Sequence, residues 1–305
     1  MAVLPAGCNR HQSTLSTFGV EARDIRDIAI VLTIGAVLVF AGVAAIYWRA
    51  VRAPEHSIDH EGGMRMVLWL GGIGPAILLG ALLLYALPAM RPRPVAANDL
   101  VIAVEGEQFW WRVAYRPPGG GEPVISANEI RLPVGRTVSF QLTAKDVVHS
   151  FWIPGLAGKM DMIPGRTTLL PVRAEKPGRY RGVCAEFCGL SHALMAFDVI
   201  AMPAAEFDAW LARSRAPREG DSEGARLFAA HGCDACHGSS AIGPTLADFG
   251  ERTSLGAGIL PPTIANTAAF IRAPQAAKPG ARMPAYPQLS DADARAIARH
   301  LGARP

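Results

Sequence analysis

Two long uncharged stretches constrain this chain more than any other feature. Residues 28–48 read IAIVLTIGAVLVFAGVAAIYW, and at about 1.5 Å per residue a helix of that length crosses a hydrocarbon core of about 30 Å. A second uncharged run covers residues 66–90, with Pro75 and Pro88 inside it and Trp69 and Tyr85 toward its ends, where amphipathic rings favour the membrane interface. The expected arrangement is a transmembrane hairpin within residues 28–90, with spans at about 28–48 and 66–88. A buried helix of a soluble core is the weaker alternative, because two such runs in one soluble chain are rare. Arg10, Arg23 and Arg26 ahead of the first span match Arg49, Arg52 and Arg65 between the spans, so the positive-inside rule gives no orientation.

The remaining length divides readily. A chain of 305 residues allows two ordinary domains besides a membrane anchor. Its formal net charge of +4 comes from scattered basic residues, which excludes the clustered basic patch of a nucleic-acid partner. Residues 1–27 read as a leader. In it, Leu4-Pro5-Ala6-Gly7-Cys8 looks like the end of a lipoprotein signal, although seven residues are too few for the charged and apolar parts of such a signal. A lipidated Cys8 and a leader with a free thiol both remain open.

Residues 95–214 read as all-β, with strands at 100–105, 109–115, 128–132, 137–143, 149–153, 167–172, 179–184 and 196–202. The strand at 137–143 illustrates why: Val138, Phe140 and Leu142 alternate with Ser139, Gln141 and Thr143, as one half-buried face requires. A sandwich or barrel follows. A helix at 204–213 and a charged linker at 215–223 lead to a second, helical domain over 221–305, with helices expected at 223–231, 263–272 and 291–301.

The densest set of soft ligands is Cys184-Ala-Glu186-Phe-Cys188-Gly-Leu-Ser-His192-Ala-Leu-Met195. His149 and His192 are the only histidines between Glu61 and Ala230, so an imidazole-containing site in the β domain draws on both. Tetrahedral zinc held by His149, Cys184, Cys188 and His192 is one reading. Met195 favours copper, because a thioether suits a soft metal better than zinc. A single blue copper uses one thiolate, so the second cysteine argues for two copper ions bridged by both sulfurs.

These residues, with the segments Gly106-Glu-Gln-Phe-Trp-Trp111, Asp146-Val-Val-His149-Ser-Phe-Trp-Ile-Pro154 and Lys159-Met-Asp-Met-Ile-Pro-Gly165, resemble subunit II of cytochrome c oxidase. That family carries a dinuclear copper centre, CuA, in a cupredoxin-like sandwich behind a two-helix hairpin. The resemblance implies that Cys184 and Cys188 bridge the coppers and that His149 and His192 each ligate one. It also implies that Met195 is a weak ligand and that Glu186 ligates through its carbonyl, its side chain facing a magnesium shared with subunit I. The family often receives electrons at a tryptophan where this chain has Phe109; Trp110 and Trp111 are the substitutes, each with a plain core role as its alternative. Glu55 and Glu61 are both candidates for proton uptake near the hairpin.

Cys233-Asp-Ala-Cys236-His237 is the C-x-x-C-H attachment signal for haem c, with the histidine as an axial iron ligand. Gly243-Pro-Thr and Lys278-Pro-Gly-Ala-Arg-Met283-Pro follow it, as in class I cytochromes c. Met283 is the only methionine after Met202 and so the expected second axial ligand, with His231 and His300 as imidazole alternatives. A redox-active C-x-x-C without haem is the remaining reading.

Haem c is attached outside the cytoplasm, which places both folded domains and, across an even number of spans, the amino terminus on the periplasmic side of a bacterial inner membrane. The expectation is an electron-input subunit of a proton-translocating haem-copper oxidase. Electrons would pass from a cytochrome c or a quinol-cytochrome c reductase through haem c and CuA to subunit I, where dioxygen is reduced to water. No bond chemistry is expected of this chain alone. The alternatives are the corresponding subunit of a CuA-containing nitric oxide reductase and a membrane-anchored copper-binding or assembly protein.

Overall fold

The computed structural model describes residues 12–54, 57–91, 99–117, 120–213, 222–238 and 242–304. It divides into two units, Arg23–Pro94 and the combination of Met1–Ala22 with Val95–Pro305. Cys8 and Glu55 lie outside the described residues.

The first unit is helical. Helix α1 (Val20–Arg52) outruns the expected first span at both ends, with Glu21 in its first turn and Arg49 and Arg52 in its last, charges that complement the helix dipole. The second helix runs without a break over His60–Met90, as α2 (His60–Met66), a π-helical turn (Val67–Ile73) and α3 (Gly74–Met90). Asp59 caps its start by accepting from the Gly62 amide at 3.1 Å, and Glu61 pairs with Arg65 one turn on at 2.5 Å. The π turn precedes Pro75, whose missing N–H and bulky ring disturb the regular ladder. Both helices, of 33 and 31 residues, are long and apolar enough to cross a membrane.

The second unit begins with the β domain. Its strands are β1 (Leu100–Glu107), β2 (Trp110–Arg116), β3 (Val124–Ala127), β4 (Glu129–Pro133), β5 (Val138–Ala144), β6 (His149–Trp152), β7 (Met160–Met162), β8 (Thr168–Val172), β9 (Gly178–Cys184) and β10 (Ala196–Met202). One sheet has the order β3-β2-β1-β5-β8 and the other β4-β10-β9-β6-β7. Trp111, Tyr115, Phe140, Phe151 and Phe197 are buried in the core. Strands β3 and β7, absent from the sequence reading, have four and three residues, too few to show a period of two. Phe18 and Gly19, expected as leader, also belong to this domain. The Phe18 amide donates to the Gly155 carbonyl at 2.8 Å, its ring is buried in the core, and Gly19 bridges Ala174. Helix α4 (Ala204–Arg213) closes the domain by packing Phe207 and Trp210 against Tyr115.

The helical domain comprises α5 (Glu223–Ala230), α6 (Asp234–His237), α7 (Ile264–Arg272), α8 (Pro274–Ala277) and α9 (Asp291–His300). Ser222, Thr263 and Ser290 cap α5, α7 and α9 by accepting backbone amides, each cap contributing about 1 kcal/mol. Both α5 and α7 pack on α9. The α5 crossing needs Gly224, where a Cβ would lie 2.3 Å from the Ala296 carbonyl oxygen.

Candidate metal centre and haem-attachment site

The soft ligands converge on one end of the sandwich. His149 opens β6, Cys184 ends β9, and the loop between β9 and β10 carries Cys188 and His192 before Met195 leads into β10. Pairing sets the spacing: the Cys184 amide donates to the Met195 carbonyl and the Ala185 amide to the Ser150 carbonyl, both at 2.9 Å. Cys184 Sγ then lies 3.9 Å from Cys188 Sγ and 3.8 Å from His149 Nδ1. Cys188 Sγ lies 3.7 Å from His192 Nδ1 and 3.8 Å from Met195 Sδ, and the Glu186 carbonyl oxygen is 3.2 Å from Cys184 Sγ. Two sulfurs, two imidazole Nδ1 atoms, a thioether and a carbonyl thus face one small volume. Ligand atoms of His149, Cys184 and Cys188 alone fall within 4.8 Å of one another, all three residues buried. Such a set exceeds the four donors that one tetrahedral zinc uses.

Electrostatics favour a cation here. The hydrogen bond from Cys188 lowers the Cys184 thiol pKa, opposed by burial and assisted by His149. The same partner, followed by burial, raises that of Cys188. Burial opposes charging His149, but Cys184 and Asp146 outweigh it and raise its pKa. The ring is held in place from both sides: Nε2 donates to Asp146 Oδ1 at 2.9 Å, and a Cβ on Gly106 would lie 2.9 Å from its Cδ2.

Among the aromatic candidates, Trp111 is fully buried and packs on His149, Phe151 and Phe197. Trp110 is half-buried, with the Arg112 guanidinium 4.8 Å from its ring centre. Phe109 lies beside the ligand loop, its ring 3.2 Å from where a Cβ on Gly189 would sit, and at the same distance from one on Gly280 of the helical domain. Glu186 and Phe187 point outward, the latter 77% exposed.

In the helical domain Cys233 precedes α6 and Cys236 lies within it, both half-buried thiols that form no disulfide among the described residues. His237 Nδ1 donates to the Pro244 carbonyl at 2.7 Å, which leaves Nε2 available to an iron. Burial leads the lowering of its pKa, keeping the ring neutral as a ligand must be. Met283 packs with Leu227, Phe228 and Tyr286 around Ile271, Leu289 and Ile297. Burial first, then the nearby Cys233 and Cys236, raise the Tyr286 pKa. His300 instead shares a 3.2 Å hydrogen bond with Ser222 and lies against Phe228. Two thiols, an imidazole whose Nε2 has no hydrogen-bond partner among the described residues, and a thioether in the same domain suit a covalently held haem.

The two domains meet through polar groups that the sequence reading did not single out. Glu129 Oε2 accepts from the Thr253 amide and hydroxyl at 2.7 and 2.8 Å, and Asp198 Oδ2 from Ser254 Oγ at 2.5 Å. Arg181 donates to the Gly258 carbonyl at 2.8 Å. Closest to the ligand loop, Ser191 Oγ donates to the Pro279 carbonyl at 2.6 Å. Lys278 Nζ donates to the carbonyls of Leu194 at 3.0 Å and Gly256 at 2.7 Å. Arg282 Nη1 meets Glu107 Oε1 at 3.0 Å. The segment bearing Met283 therefore sits on the loop bearing Cys188 and His192.

Comparison with known proteins agrees with this division. The profile described as "Cytochrome C oxidase subunit II, periplasmic domain" matches residues 118–202, and one described as "Cytochrome c" matches residues 222–303. Cytochrome c oxidase subunit 2 of Bacillus subtilis is 32% identical across 98% of this chain and 94% of its own length. The same subunit of Alkalihalophilus pseudofirmus is 41% identical, across 68% of this chain and 62% of its own length. Among solved structures, the periplasmic domain of subunit II of cytochrome oxidase from Bradyrhizobium japonicum is 31% identical. It covers 41% of this chain and 97% of that one, with a TM-score of 0.37.

Proposed function

This chain belongs to the cytochrome c oxidase subunit II family, and on that premise we propose that it is the electron-input subunit of a haem-copper oxidase. In this reading it takes electrons from a cytochrome c or a quinol-cytochrome c reductase and delivers them to subunit I, where dioxygen is reduced to water. The observation that carries the reading is the convergence of donors from His149, Glu186, His192 and Met195 on the paired sulfurs of Cys184 and Cys188, each donor lying 3.2–3.8 Å from one of those sulfurs.

These six residues would hold dinuclear copper, while Cys233, Cys236, His237 and Met283 would hold haem c. Bound there, the two groups supply one-electron storage at little structural change. The chain's own part is to position them. Asp146 and Pro244 orient the His149 and His237 rings through hydrogen bonds, as outer-shell partners of metal ligands do. The sandwich keeps water from the sulfurs, and the interdomain contacts hold the two sites together more firmly than a linker alone would. Phe109, which lies between Gly189 and Gly280, is the best placed of the three aromatic candidates where electrons arrive. Trp111 is a core residue, and Trp110 lies under Arg112. Outward-pointing Glu186, beside exposed Phe187, would meet subunit I and a shared magnesium.

The hairpin would anchor the chain in a bacterial inner membrane with both domains, the amino terminus and any lipid on Cys8 on the periplasmic side. The test is oxygen consumption by the purified complex supplied with reduced cytochrome c. Activity should be lost in Cys188→Ser and in His237→Ala. Consumption of nitric oxide with none of oxygen would overturn the assignment.

A further inference from the structure

A guanidinium from the helical domain ends one carboxylate away from a candidate copper ligand. Asp146 Oδ1 accepts from His149 Nε2 at 2.9 Å and from the Val147 amide at 2.8 Å. Its Oδ2 accepts from the Gln108 amide at 2.8 Å and lies 3.5 Å from Arg282 Nη2. The same guanidinium donates through Nη1 to Glu107 Oε1 at 3.0 Å, and Lys145 holds the other oxygen of Glu107 at 3.1 Å. The Glu107 side chain is 4% exposed and is also 3.7 Å from Arg112 Nη2. Gln108, between Glu107 and Phe109, donates through Nε2 to the Cys188 carbonyl at 2.5 Å. One network thus runs from Arg282, immediately before Met283, to His149 on one branch and toward Cys188 on the other.

We propose that Arg282 is a positioning residue for the copper centre: seating of the helical domain brings its guanidinium to Asp146 and Glu107 and completes the charged shell behind His149. This rests on the dinuclear-copper reading of the site given above. The physical basis is direct. A carboxylate accepting from Nε2–H makes the imidazole a stronger donor at Nδ1, which favours the oxidised metal. A cation on the opposite carboxylate oxygen draws that charge back and favours the reduced form. The cation arrives on the loop that Ser191 and Leu194 hold through Pro279 and Lys278, so the copper ligands sense whether the haem-bearing domain is seated.

The experiment uses the full-length, copper- and haem-loaded chain in detergent as wild type, Arg282→Gln, Arg282→Lys and Arg295→Gln. Arg295 pairs with Asp291 on α9 at 2.6 Å, away from this network, and serves as the control. Two copper-specific signals are read: the midpoint potential, and the hyperfine-shifted, exchangeable Nε2 proton of His149 in the NMR spectrum. The expected result is a lower copper potential and a displaced proton resonance in Arg282→Gln. Arg282→Lys should recover most of both shifts, and Arg295→Gln should show neither. In an Asp146→Asn background the Arg282→Gln shift should fall below half its size. Unmoved copper signals in Arg282→Gln, or an undiminished shift without the Asp146 charge, would overturn this proposal alone. If the wild type showed no dinuclear copper spectrum, the reading of the site would fail and the proposal with it.

Discussion

Lys278 Nζ donates to the Leu194 carbonyl at 3.0 Å across the domain boundary while its residue is only 4% exposed. Burial lowers its pKa from 10.5 to about 7, with Cys188 as a smaller opposing influence. In the unfolded chain the amine keeps its proton to about pH 10.5, so between these values the unfolded state binds more protons and stability rises with pH. The cost of the buried charge is complete below pH 7 and gone above pH 10.5. Lys278→Met removes this dependence. The prediction is that the wild type gains stability relative to Lys278→Met as pH rises from 7 to 10.5, and thermal unfolding across that range checks it. A constant difference would contradict it.

Gly106 lies in β1 directly behind the His149 ring, where a Cβ would come within 2.9 Å of the ring and 3.3 Å of its own Cβ. Gly106→Ala should turn the imidazole away from Cys184 and reduce copper retention after dialysis. It should also destabilise the β domain by about 1–3 kcal/mol, the usual cost of overpacking. Copper content and denaturant midpoint measured on one preparation test both effects.

Gly182, on β9, faces Phe197, with a hypothetical Cβ 2.0 Å from the ring's Cζ. Phe197 stacks on Phe151 at 4.7 Å and packs edge-on against Trp111 at 5.1 Å, so it has no free direction in which to move. Gly182→Ala is expected at the upper end of the range of about 1–3 kcal/mol for small-to-large core changes. Near-ultraviolet circular dichroism should show the disturbed aromatic packing. An unchanged melting temperature would contradict this account of the core.

Asn128 adopts φ 62°, its Oδ1 accepting from the Trp111 amide at 2.9 Å and its own amide donating to the Trp111 carbonyl at 3.0 Å. Asn tolerates this left-handed conformation better than other non-glycine residues. Asn128→Ala should therefore cost more stability than Asn128→Gly, which keeps the backbone at ease and loses only the side-chain bond. Equal melting temperatures for the two variants would count against the backbone contribution.

Much of this was legible in the sequence because the signals are local. The uncharged runs mark both spans, and the alternation of Val138, Phe140 and Leu142 marks β5. Cys184, Cys188, His192 and Met195 lie within one loop, so their spacing carries their geometry. His149 is legible by elimination among few histidines. The less legible features depend on distant partners. Arg282 acquires meaning only beside Asp146 and Glu107, and Lys278 only beneath Leu194. Neither residue bears a pattern that announces docking. Phe18 lies in a stretch with no period of its own, and its place in the core comes from the Gly155 carbonyl that receives its amide. The helices outrun the apolar runs because charged flanks such as Glu21 and Arg52 continue a helix as readily as they end a hydrophobic stretch.

The most direct measurement is metal and haem analysis of the full-length chain together with its optical and electron paramagnetic resonance spectra. The account predicts two coppers per chain with a mixed-valence spectrum that disappears in Cys188→Ser, and one covalent haem c that disappears when Cys233 and Cys236 are both replaced by alanine. One zinc, or a single blue copper insensitive to loss of the second thiolate, would contradict it.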